Sequence, residues 1–150
     1  MIDLYLPDSA ATEALGHRLA AARPRFAVVH LHGDLGAGKS TLARSLLRGL
    51  GVTGTVRSPT YTLVERYPLD DGSEAWHMDL YRIGDPGEMD FLGLDEGAAS
   101  LWLVEWPERG ADALPPVDLH VRMAMDGEGR RVVLDPASPA GAAWVQALAG

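Results

Sequence analysis

The sequence predicts an α/β fold of three layers, with helices flanking a central mixed sheet that has a parallel core and antiparallel hairpins. Three observations carry that expectation. Phe26-Ala27-Val28-Val29-His30-Leu31 is a short apolar stretch that runs into a glycine-rich turn and then into leucines at helical spacing. Leu101-Trp102-Leu103-Val104 is a second apolar stretch, closed by Glu105, and has the form of a buried parallel strand. Segments 61–81 and 117–134 each carry strand-forming residues on both sides of a short turn, which is the pattern of a hairpin.

The chain has 150 residues, of which 47% are hydrophobic and 23% charged, so a single globular domain spanning 1–150 is expected. No apolar run approaches the roughly 20 residues that cross a bilayer. Met1-Ile2-Asp3-Leu4-Tyr5-Leu6 lacks the basic start of a signal peptide, and no cysteine is present for disulfides or thiolate metal sites. A cytoplasmic location is the expectation. The formal charge of −8 argues against a large nucleic-acid footprint, which needs a basic face.

In chain order, Pro7-Asp8-Ser9 opens a packing helix with Asp8 or Ser9 as its N-cap. Ala11, Leu15, Leu19 and Ala22 form its apolar face, and Pro24 ends it. The strand at 26–31 follows. Leu42, Leu46, Leu47 and Leu50 then mark a second helix, with Gly51 as C-terminal cap. Residues 51–60 form a loop, Tyr61–Tyr67 a strand, and Glu74–Tyr81 its antiparallel return. Folding about Asp70-Asp71 sets Asp79 across from Leu63, near Ser58-Pro59-Thr60. The glycine-rich stretch 83–97 is expected to form short helical turns in a loop that can move. Val117, Leu119, Val121 and Met123 alternate with polar residues, Asp126-Gly127 turns the chain, and Arg131–Leu134 returns. Residues 138–149 form a last helix anchored by Trp144, Val145 and Leu148.

The chemistry centres on Gly33-Asp34-Leu35-Gly36-Ala37-Gly38-Lys39-Ser40, which fits the Walker A pattern between a strand and a helix, as in a P-loop NTPase-like fold. The glycines allow tight turns, so that backbone N–H groups face phosphate oxygens at the positive end of the helix. Lys39 supplies a mobile cation for the β- and γ-phosphates, and the Ser40 hydroxyl is placed to ligate Mg²⁺. Lys39 is expected to be an exposed loop residue.

Such a loop also needs acids to hold Mg²⁺ and orient a nucleophile; Asp79 and Glu105, at strand ends, qualify as catalytic and metal-holding candidates. Thr60 is either a hydroxyl that senses the γ-phosphate or a turn cap. Trp106 either stacks on a base or partner, or belongs to the core. His30 and His32 have His-x-His spacing without an evident third ligand, so they read as structural. Arg82 and Arg109 read as solvated charges.

Taken together, the loop with Thr41-Leu42, then Ser58-Pro59-Thr60-Tyr61, His77-Met78-Asp79-Leu80-Tyr81-Arg82 and Glu105-Trp106-Pro107-Glu108, resemble the TsaE (YjeE) family over about residues 30–110. The departure is Ser40-Thr41 where Thr-Thr is more usual, and both supply a hydroxyl. No motif beyond residue 115 can be matched. The resemblance implies a bacterial ATPase, weak alone, that works with TsaB and TsaD, the latter its main contact. Together they form threonylcarbamoyladenosine at position 37 of tRNAs reading codons that begin with A. It implies that Asp34, Leu35, Gly36, Ala37, Gly38, Lys39, Ser40 and Thr41 bind ATP, with Trp106 beside the nucleotide or partner. Ser40 would ligate Mg²⁺, Asp79 and Glu105 form the acidic side of the site, and Thr60 lie in a switch-like segment. The tRNA would be held through the partners, in keeping with the acidic charge, and no N-K-x-D guanine-reading motif occurs.

Two other functions use the same loop. A small-molecule kinase usually carries arginine in its lid, whereas 83–97 contains neither Arg nor Lys. A non-catalytic, nucleotide-dependent binding module would retain the loop without needing Glu105.

Overall fold

A computed structural model describes residues 1–94 and 99–149. The strands are β1 (Ile2–Leu6), β2 (Ala27–His32), β3 (Val64–Pro68), β4 (Glu74–Asp79), β5 (Ala99–Glu105), β6 (Leu119–Asp126) and β7 (Gly129–Pro136). The α-helices are α1 (Ser9–Ala22), α2 (Lys39–Gly49) and α3 (Pro139–Ala149). The strands make one seven-stranded sheet in the order β1-β7-β6-β2-β5-β4-β3. Its centre is parallel: β2 pairs with both β5 and β6, and β5 also pairs with β4. The β3–β4 and β6–β7 hairpins are antiparallel, as is the β1–β7 edge.

The sheet buries its two faces differently. Val29 and Leu31 of β2 and Leu101 and Leu103 of β5 meet Leu15, Leu19, Leu46, Leu47 and Trp144 from the three α-helices. On the opposite face Val28, Trp76, Met78, Trp102 and Val104 pack under Ile83, Met89, Leu92 and Leu114. That third layer includes 3₁₀ turns, among them Pro86–Leu92 and Ala111–Ala113, in agreement with the short turns expected after residue 83. Residues 95–97 of that expected loop lie outside the described residues. Toward β6, β7 and β1 the same face carries ion pairs instead: Arg122–Asp135 at 3.7 Å and Arg131–Asp3 at 3.0 Å.

Asp8 caps α1 by accepting from the Ala11 N–H at 2.9 Å. The buried face of α1 is Thr12, Leu15, Gly16, Leu19 and Ala20, rotated from the expected one, with Ala11 and Ala22 only partly covered. The reason is the close approach of α2: a Cβ at Gly16 would lie 1.8 Å from Ser45 Oγ. At the other end Trp144 of α3 is 1% exposed, and its indole N–H donates to the Leu19 carbonyl at 3.1 Å. Removing a buried side chain of that size costs about 3–5 kcal/mol.

Several boundaries differ from the sequence reading, those at β1, β3 and β4 the most. β1 was not expected as a strand. β3 begins at Val64 rather than Tyr61, because the Leu63 N–H donates to the Pro59 carbonyl at 2.8 Å and Leu63 has φ 70°. β4 ends at Asp79, and the Asp79 N–H donates to the Leu63 carbonyl at 2.9 Å, so the expected Asp79–Leu63 opposition is observed.

Candidate functional site

The parallel strands end together. In register, Leu31 of β2 lies beside Glu105 of β5, and Glu105 beside Asp79 of β4. Open α/β sheets bind ligands at this carboxyl edge. The glycine loop leaves β2 here and turns into α2, with Gly33, Gly36 and Gly38 at φ 149°, 84° and 102°. Gly38 is the N-cap of α2 in the left-handed region, where a β-carbon would be strained and where no side chain covers the free N–H groups of the first turn.

Leu35, Gly36, Gly38, Lys39, Ser40, Thr41, Thr60, Asp79, Glu105 and Trp106 line one cavity of about 290 Å³, with Arg130. Of the sequence candidates, only Asp34 and Ala37 stand apart from that lining. Asp34 faces a neighbouring cavity of about 130 Å³ with His32, Lys39, Trp106 and Glu108. Ala37 is buried under the loop, its N–H donating to the Asp34 carbonyl at 3.1 Å.

Lys39 is not exposed, contrary to expectation. Its residue is 5% accessible, with Nζ 2.5 Å from the Gly33 carbonyl oxygen and 4.3 Å from the centre of the Trp106 ring. The cause is Trp106, which turns at φ 55° directly after β5 and lays its ring against the ammonium group. Tyr81 supports that ring from 4.9 Å. The Thr60 hydroxyl lies 2.7 Å from that of Ser58, so at this loop it also takes part in the local turn.

The two acids have different surroundings. Asp79 is half-buried, and burial pushes its carboxyl above the ordinary value; the Tyr81 N–H, donating at 3.0 Å, opposes the shift, while neighbouring Glu105 adds to it. Glu105 is 4% exposed, and its Oε2 lies 2.6 Å from Nε2 of His77, itself 3% exposed. His77 was not recognised in the sequence, although a strand's period of two puts it on the same face as Asp79. Arg130 was also missed: from β7 it donates to the Gly36 carbonyl at 3.1 Å.

A third histidine was missed as well. His120 on β6 is in register with His30 on β2, and its Nδ1 lies 2.9 Å from Nε2 of His32. The expectation that His30 and His32 lack a third companion is therefore corrected. It failed because the β2–β6 pairing joins residues ninety positions apart in the chain.

The hydroxyl of Ser40 and the carboxylates of Asp79 and Glu105 are hard oxygen donors on one cavity, a set that fits Mg²⁺ rather than a soft metal. One oxygen of Glu105 is engaged by His77, which leaves the other for a ligand or water.

Comparison with known proteins agrees with this architecture. The family model described as threonylcarbamoyl adenosine biosynthesis protein TsaE matches residues 6–133. The TsaE protein of Haemophilus influenzae is 39% identical over 87% of this chain and 86% of its own length. That of Bacillus subtilis is 38% identical over 81% of this chain and 77% of its own. Among solved structures, Bacillus subtilis YdiB superposes with a TM-score of 0.80 at 28% identity, covering 99% of this chain and 93% of that one. With the family model matching residues 6–133 and these relatives aligned over most of its length, the chain belongs to the TsaE family of tRNA threonylcarbamoyladenosine biosynthesis proteins.

Proposed function

We propose that the chain binds ATP, hydrolyses it slowly with Mg²⁺, and in doing so serves a cytoplasmic TsaB–TsaD complex that modifies tRNA. The observation that carries this reading is the convergence of Lys39, Ser40, Asp79 and Glu105 on one cavity at the N-terminus of α2. About 290 Å³ is at the small end of ligand sites and suits a triphosphate tail. Free N–H groups of the loop and first helical turn receive phosphate oxygens, and Lys39 leaves the Gly33 carbonyl to meet the β- and γ-phosphates. Ser40 and the two acids would hold Mg²⁺, which would supply neutralisation of the charge developing on the phosphoryl group. Asp79 and Glu105 orient water for in-line attack on the terminal phosphorus, with His77 fixing the Glu105 carboxylate. Arg130 and Lys39 stabilise the charge on the departing diphosphate. Trp106 stacks beside the nucleotide, and Thr60 follows the terminal phosphate.

Leu35, Tyr61 and Tyr81 are 74%, 80% and 46% exposed at or next to the site, and they suit contact with a protein partner. The charge of −8 supports leaving the tRNA to that partner. Turnover of ATP is measured with and without TsaB–TsaD. Stimulation by the pair is expected, whereas normal ATP binding with no stimulation overturns the proposal.

A further inference from the structure

We infer that His30, His32 and His120 form a site for a divalent transition metal of the zinc class, separate from the nucleotide cavity. Their ligating nitrogens all lie within 4.8 Å of one another. His30 and His32 project from the same face of β2, two residues apart, and His120 joins them from β6 in register with His30. The backbone pairing therefore preorganises all three rings.

Two features distinguish the cluster from histidines that merely pack. First, Nε2 of His30 is buried and has no hydrogen-bond partner among the described residues. An orphaned buried nitrogen is costly, and a metal would satisfy it. Second, three side chains that each can carry positive charge are gathered on one face of the sheet, with Asp135 in register beside His120 and Glu108 near His32. Burial lowers His30 and His32 to about 4 and lowers His120 as well. The nearby Arg122 and Lys39 oppose a cation, but Arg122 is paired with Asp135, Lys39 is held at the Gly33 carbonyl, and Glu108 favours positive charge at His32.

Binding would require the rings to turn, because the nitrogens lie within 4.8 Å of one another and the His32–His120 contact must open. Nitrogens bound tetrahedrally to zinc stand roughly 3.3 Å apart, against 2.9 Å now between His32 and His120. Three imidazoles leave one position for water or another donor. A bound ion would tie β2 to β6 immediately before Gly33, whose carbonyl holds Lys39.

The test titrates untagged chain at neutral pH with Co²⁺ and Zn²⁺ alone, in the presence of millimolar Mg²⁺. One ion per chain is expected, with a visible absorption band for Co²⁺ and a rise in unfolding midpoint with Zn²⁺. X-ray absorption of the zinc-loaded chain should show imidazole nitrogens at about 2.0–2.1 Å. His30→Gln, His32→Gln and His120→Gln should each weaken binding at least about tenfold, and His17→Gln, at an exposed site on α1, should not. Absence of stoichiometric binding, displacement by Mg²⁺, or oxygen-dominated coordination in the unmutated chain overturns the inference. The X-ray result stands even if a variant fails to fold.

Discussion

Nε2 of His77 lies 2.6 Å from Oε2 of Glu105, and both side chains are almost completely enclosed. The pair spans the neighbouring strands β4 and β5, so it fixes a carboxylate at the sheet edge that faces the glycine loop. His77→Ala leaves that carboxylate without its partner, which should cost about 1–3 kcal/mol of stability. His77→Gln retains a donor and should recover part of it. Both variants should lower ATP turnover more than ATP affinity, as read by steady-state kinetics beside calorimetric binding.

Asp79 gives a pH dependence whose sign follows from burial. Its carboxyl is raised in the folded chain, so ionisation destabilises the fold. The penalty is absent below the unfolded value of 3.8, grows as pH rises above it, and is complete above the folded value. Asp79→Asn should therefore raise the unfolding midpoint at pH 7, and the gain should vanish near pH 3. The same variant should lose Mg²⁺-dependent turnover. Thermal unfolding across that range checks both the sign and the window.

Lys39→Ala tests the loop directly. The ammonium group is enclosed by Gly33 and Trp106, so its removal alters packing as well as charge. The variant should still unfold cooperatively, yet ATP should no longer raise its midpoint. For comparison, saturation at a hundred times Kd adds about 2.7 kcal/mol to an intact site.

Gly16→Ala tests the support beneath the site. The added carbon would meet Ser45 Oγ at 1.8 Å and the Leu46 nitrogen at 2.9 Å. Forcing α1 away from α2 should cost about 1–3 kcal/mol, measured by denaturant unfolding. Gly16→Ala with Ser45→Gly should restore much of it, because the nearer clash is with that side chain.

What could be read in advance followed the range of the interactions involved. The β2–loop–α2 unit and the acid at the end of β5 were legible because apolar runs and glycine spacing are local signals. Asp79 opposite Leu63 followed from a short turn. β1 was not legible, since Ile2-Asp3-Leu4-Tyr5-Leu6 becomes a strand by pairing with residues 130–134 at the far end of the chain. The partnership of His77 with Glu105, and of His120 with His32, also depends on which strands become neighbours. Lys39 was misread as exposed because its cover comes from Trp106, delivered by a different strand.

The central claim is that the loop amides and Lys39 grip the triphosphate of ATP. Calorimetric titration of the unmutated chain and of Lys39→Ala with ATP and Mg²⁺ tests it most directly. One ATP per chain, lost in the variant, is the expected result. No binding to the unmutated chain, or equal binding to a folded Lys39→Ala, would contradict it.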